Sequence, residues 1–172
     1  RSIRNCVFSN LVMTNTYLGI DVLVPHVPSF GVERGPCIEN ISFSNIVMEG
    51  EMAFKLIIGD GTKPPGGIRN ISISNYTAHT RRYSYIGGTP DIPVRDVRFH
   101  NLRLTMNGEP DPLYVDEVPY PWCYWGNLTS KGLPHAIYCR YGRDIEFHDT
   151  RVEWGNISGP WRTALQAESV ER

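Results

Sequence analysis

A nine-residue phrase that recurs along the chain constrains the fold more than any other feature. It reads IRNCVFSNL from Ile3, IENISFSNI from Ile38, IRNISISNY from Ile68 and VRDVRFHNL from Val94, and a weaker copy, GRDIEFHDT, begins at Gly142. Successive copies begin 35, 30, 26 and 48 residues apart. Such self-similarity is typical of arrays in which one structural unit stacks on the next.

Each copy has the same internal pattern. Apolar residues alternate with polar ones, as Ile41 and Phe43 do, and this period of two indicates a short strand with one buried face. Asn or Asp stands at the third and eighth positions, where these residues tolerate tight bends and can bond to the next copy. The pattern therefore predicts two ladders, one of Asn5, Asn40, Asn70, Asp96 and Asp144, the other of Asn10, Asn45, Asn75, Asn101 and Asp149.

A third apolar run follows the phrase, as in Gly19–Val24 and Ala53–Ile58. Three short strands per repeat predict an all-β fold, a right-handed parallel β-helix of about five to six coils. A leucine-rich repeat is the structural alternative, but its leucine pattern and a helical period are both missing. Residues 1–172 are thus interpreted as one β-helix segment, expected to be the C-terminal part of a longer chain.

Composition limits the classes of function. The chain has 172 residues, 41% hydrophobic and 20% charged, with a formal net charge of -1. These values argue against disorder and give no attraction to nucleic acid or an anionic membrane. No metal-binding or cofactor motif is present, so neither is predicted. Cys6 and Cys139 occupy apolar positions and are predicted to be buried thiols, with a disulfide left open.

Three insertions between the repeats are candidate binding loops, because insertions in repeat arrays often gather on one ligand-binding face. The first holds His26, the second holds Asp60, and the longest, residues 107–134, holds Trp122 and Trp125. Aromatic rings and carboxylates suit sugar recognition. The alternative is that the aromatic residues form a small core for the long loop itself.

The phrase from Ile38 to Met48 resembles the pectin-lyase-like β-helices, and in particular polygalacturonase-type enzymes of glycoside hydrolase family 28. The stretch from Leu133 to Tyr141 is similar to the C-terminal part of bacterial members. The resemblance implies inverting acid/base hydrolysis of a plant cell-wall or related polysaccharide by a secreted or periplasmic enzyme. The family's NTD, DD and GHG motifs do not occur in this chain, so the resemblance implies that the catalytic residues lie N-terminal to Arg1.

The resemblance also identifies candidate substrate-binding residues. The family carries Arg-x-Lys on the strand that matches Gly19–Leu23, where this chain has Asp21 and Leu23. Because a carboxylate repels a uronate, Asp21 predicts a neutral-sugar substrate if it faces the groove. The alternatives are a shifted alignment or a structural role for Asp21.

Stacking predicts further residues of the same groove. Lys55 interrupts an apolar strand, and Arg82 and Tyr85 follow one repeat later. The predicted partner is a polysaccharide or oligosaccharide, with no nucleic acid and no membrane. Two alternatives to the hydrolase stay open, a polysaccharide lyase and a non-catalytic stalk that binds carbohydrate.

Overall fold

The computed structural model describes residues 2–24, 35–59, 62, 66–108, 135–159, 161 and 163–172. These residues form eight strands, and every pairing between them is parallel. The strands are β1 (Ile3–Val24), β2 (Cys37–Ile58), β3 (Gly67–Thr80), β4 (Ser84–Gly87), β5 (Val94–Gly108), β6 (His135–His148), β7 (Arg151–Ile157) and β8 (Thr163–Glu171). In this part of the chain no helix is long and apolar enough to cross a membrane.

The five copies of the phrase stack in register, as the sequence predicts. Ile3 pairs with Ile38, which pairs with Ile68, and at the other end Val94 pairs with Gly142. The alternating apolar residues of each copy point into a common core. Ile41, Ile71 and Val97 form one buried column there, because they occupy equivalent positions on paired strands.

The predicted Asn and Asp ladders are also confirmed. All ten residues at the two positions have φ between 49° and 58°, the left-handed region that Asn and Asp tolerate best among residues with a side chain. In one ladder the Asn40 amide donates to Asn5 at 2.9 Å and the Asn70 amide to Asn40 at 2.8 Å. In the other, Asn75 donates to Asn45 and Asn101 to Asn75, both at 3.0 Å.

The prediction of an open right-handed parallel β-helix with three short strands per coil is wrong. The parallel sheet closes on itself, because β2, β3, β5, β6 and β4 each pair with the next and β4 pairs back to β2. The result is a five-strand barrel, and β1, β7 and β8 pair outside it.

Strand length explains the closure. β2 has 22 residues, so its first part pairs with β3 and its last part, Lys55–Ile57, with β4. β6 is shared in the same way, since Ile137–Arg140 pair with β4 and Gly142–His148 with β5. Each of these strands bends at an Asn or Asp instead of ending there, and the two shared strands join the ends of the sheet.

The core fills the barrel and continues towards the outer strands. Phe99 lies between Phe54 and Phe147, with ring centroids 4.8 and 4.7 Å away. Cys139 is buried among apolar side chains, which raises the pKa of its thiol to about 12 and confirms the predicted buried thiol. Cys6 packs against the core but is only partly buried. Both are free thiols.

Candidate functional site

Three of the predicted binding residues lie side by side on neighbouring strands. Asp21 of β1 pairs with Lys55 of β2, Lys55 pairs with Tyr85 of β4, and Tyr85 pairs with Tyr138 of β6. We call these four residues the outward row, because the residues on either side of them along each strand point into the core. Stacking of the repeats therefore brings together residues that lie far apart in the sequence.

An ion pair explains the lysine that interrupts an apolar strand. Lys55 Nζ lies 3.4 Å from Asp21 Oδ2, and the two side chains are 18% and 41% exposed. The Asp21 carboxylate therefore compensates the charge of a largely covered lysine. As a pair, the two residues present little net charge to a ligand.

Tyr85 belongs to a buried cluster and not to an open surface. Its ring stacks on that of Tyr138 with centroids 5.6 Å apart, and both side chains are almost fully buried. The Tyr85 hydroxyl has no hydrogen-bond partner within the described residues. Burial raises the pKa of both phenols, and for Tyr138 the nearby Glu168 carboxylate adds to the effect.

Arg82 lies apart from the outward row, in the short connection between β3 and β4. Its Nε donates to Glu51 Oε2 at 3.2 Å, and its guanidinium lies 5.9 Å from the centroid of the Tyr17 ring. Arg81 approaches the same carboxylate, with Nη1 3.6 Å from Glu51 Oε1. These contacts hold an exposed tyrosine and two arginines at the border of a cleft.

The cleft has a volume of about 640 Å³ and crosses β1, β2, β3, β5 and β7, strands that pair in that order. We call it the polar cleft, because most of its lining residues have hydroxyl, amide or charged side chains. Its lining residues are Thr14, Asn15, Thr16, Tyr17, Glu49, Gly50, Glu51, His79, Thr80, Arg81, Asn107, Gly108 and Asn156.

A β-bulge shapes the cleft at the β1–β2 pair. The register changes between Met13 and Thr16, so that Thr14 and Asn15 both lie opposite Glu49. Asn15 takes φ 54°, which places the extra residue in the left-handed region. Bulges bend a strand and redirect its side chains, and they are frequent beside functional sites.

Two glycines fix how closely the backbones approach in the cleft. A Cβ on Gly50 would overlap the carbonyl oxygen of Thr16, so no larger residue fits without movement of β1. Gly108 has φ 93°, a conformation that side chains disfavour, and it ends β5 at the cleft wall. The cleft floor is therefore main chain, flanked by polar side chains.

Carboxylates outnumber cations in the lining. Glu49 and Glu51 stand on either side of Gly50. Among the described lining residues, Arg81 is the one lysine or arginine, and it already contacts Glu51. Glu49 lies beside His79, its neighbour on β3, and forms no ion pair with the described residues. The cleft therefore offers hydrogen-bond acceptors, of which the Glu49 carboxylate forms no ion pair within the described residues.

The polar cleft was not predicted from the sequence, although the sequence contains a signal for it. Polar segments occupy the same place in successive repeats, between the second strand-like run and the third: Thr14–Tyr17, Glu49–Glu51 and His79–Arg82. The prediction concentrated on the long insertions. His26, Asp60, Trp122 and Trp125 lie outside the described residues.

The described part of the chain contains no group of three or more His, Cys, Asp or Glu side chains arranged to hold a metal ion. Comparison of the chain with protein-family models, with curated proteins and with solved structures gave no match.

Proposed function

We propose that this chain binds a polysaccharide and forms the substrate-binding wall of a glycoside hydrolase that acts on a plant cell-wall or related polysaccharide. The observation that carries the proposal is the polar cleft. It combines hydroxyl, amide and carboxylate groups with the ring of Tyr17, which is 48% exposed. Sites with a few convergent polar groups and an aromatic surface suit small polar ligands.

The groups of the cleft complement a sugar. Sugar hydroxyls donate and accept hydrogen bonds, and the carboxylate of Glu49 accepts while the amides of Asn107 and Asn156 can do both. The ring of Tyr17 offers a flat apolar surface to the C–H face of a pyranose, and the Arg82 guanidinium beside it limits its movement.

The geometry also suits a chain of sugars. The cleft crosses five neighbouring strands, which in a parallel sheet are spaced by roughly 4.8 Å. That step is close to the length of one sugar unit in an extended polysaccharide. Similar polar positions on successive strands could thus contact successive units.

The hydrolytic part of the proposal rests on the sequence resemblance to family 28 enzymes. Hydrolysis needs two carboxyl groups across the scissile bond, and the family's aspartate motifs are not in this chain. The proposal therefore assigns substrate binding, and no catalytic acid or base, to the described residues of this chain.

Binding to a panel of immobilised plant polysaccharides, followed by calorimetry with oligosaccharides from the best ligand, tests the proposal. We expect Tyr17→Ala to weaken binding on the order of tenfold, or about 1.4 kcal/mol, and Tyr17→Phe to retain most of it. Val12→Ala, an exposed position on the same strand outside the cleft, is the matched control. Absence of binding to every polysaccharide, or full binding by Tyr17→Ala, would contradict the proposal.

A further inference from the structure

We infer that the polar cleft accepts an uncharged saccharide chain and discriminates against polyuronates. This inference rests on the proposed function and names the substrate class of the same site. It is carried by the charges around the cleft, by the contacts that already occupy its cations, and by the direction in which the cleft crosses the strands.

The cations that a uronate would need already contact a carboxylate of the cleft. A carboxylate ligand is bound best by Arg or Lys through charge-assisted hydrogen bonds. Arg81 and Arg82 both contact the carboxylate of Glu51, at 3.6 and 3.2 Å. A uronate would have to compete with Glu51 for these guanidinium groups.

Glu49 is the second acidic residue of the cleft. It is exposed, lines the cleft and forms no ion pair with the described residues. A polyuronate carries one negative charge per unit and would be repelled by this carboxylate, whereas the hydroxyl of a neutral sugar would donate to it. Hydrogen bonds of hydroxyls to carboxylates are among the stronger ones.

The outward row also pairs its cation with a carboxylate. Its lysine, Lys55, is compensated by Asp21 at 3.4 Å. At both places the basic side chains already contact a carboxylate, one-to-one in the outward row and two-to-one at Glu51.

The cleft is long enough to hold several sugar units. It extends from β1 to β7 over five strands, a distance of about 19 Å at roughly 4.8 Å per step. On the far side, Asn107 Oδ1 accepts from the Asn156 main-chain N–H at 3.1 Å. Within the described residues the Nδ2 hydrogens of Asn107 have no acceptor, so they can donate to a ligand hydroxyl. A tetrasaccharide would span both walls.

Calorimetry at low and at physiological ionic strength tests the inference. The probes are neutral tetrasaccharides (β-1,4-linked glucose, mannose and galactose) and tetragalacturonate of the same length. We expect at least one neutral tetrasaccharide to bind at least tenfold more tightly than tetragalacturonate. Because repulsion between exposed charges is screened by salt, the difference should shrink at the higher ionic strength.

Charge reversal supplies the sharper test. We expect Glu49→Lys to improve tetragalacturonate binding on the order of tenfold and to weaken neutral binding by a smaller factor. The control is Glu153→Lys, the same change in the same stacked row as Glu49 and His79 but outside the cleft lining. It should change neither affinity.

The outcomes separate the inference from the proposed function. Equal or tighter binding of tetragalacturonate by the unmodified chain would overturn the inference and leave saccharide binding intact. An unchanged preference in Glu49→Lys would also overturn it, because the carboxylate would then have no part in the selection. Absence of binding to all four probes would contradict the inference and the proposed function together.

Discussion

Asparagine is the residue that lets the strands of this molecule turn corners. At each turn position the backbone has a φ near 50°, and at five of them the side-chain amide of an Asn donates to the equivalent Asn of the preceding repeat. One residue therefore meets two requirements, a left-handed backbone and a hydrogen bond between strands. Few other residues could do both, since most side chains are strained at this φ and Gly has no amide.

Asn75 tests this double role, because it donates to Asn45 and accepts from Asn101, both at 3.0 Å. We expect Asn75→Ala to lower the free energy of unfolding by about 2–3 kcal/mol, through backbone strain and lost hydrogen bonds. Asn75→Gly removes only the hydrogen bonds and should cost about 1 kcal/mol less. Urea denaturation would measure both variants, and equal losses would show that the backbone conformation contributes nothing.

For a single strand, the bend and the register are set by residues within one phrase. The identity of the strand that it pairs with is not set locally. The alternation around Ile41 and the Asn residues that flank it predicted the register correctly, because both depend on residues within one phrase. The closure of the sheet could not be read from the sequence, since it depends on β2 and β6 each continuing as one strand that pairs with two partners. The polar cleft was missed for a similar reason, because its shape comes from a bulge at Asn15.

Gly50 connects element geometry to the cleft, since a side chain there would overlap the Thr16 carbonyl on β1. We expect Gly50→Ala to lower the free energy of unfolding by about 1–3 kcal/mol, the usual cost of overpacking. It should also weaken saccharide binding, because β1 must move away from the cleft floor. Val47→Ala, at an exposed position of the same strand, is the control for thermal denaturation and calorimetry. Wild-type stability in Gly50→Ala would contradict this account.

At the scale of the whole molecule, closure protects the five strands of the barrel but not the strands outside it. Among the described strands, β1 pairs only with β2. It exposes Ile3, Val7 and Val12, with Val12 76% exposed. An apolar strand with one unpaired edge can pair with another molecule, so we expect β1 to promote self-association of this chain.

A charged pair of substitutions on β1 tests that consequence. We expect Val7→Lys with Val12→Lys to reduce concentration-dependent association in light scattering, because lysines on an edge strand discourage pairing between chains. Stability should change little, since both side chains are already exposed. Thr77→Lys with Ser72→Lys, on the inner strand β3, is the matched control and should leave association unchanged. Equal association of all three proteins would place the contact elsewhere.

The side-chain ladders give the molecule an electrical direction. In every amide bond between their asparagines, the residue from the later repeat donates and the residue from the earlier repeat accepts. The amide dipoles therefore point the same way and add along the stack, as peptide dipoles add along a helix. Asn5 and Asn10 consequently turn N–H groups outward at one end, while the carboxylates of Asp144 and Asp149 occupy the turns at the other. The two ends of the stack of repeats would attract ions of opposite sign.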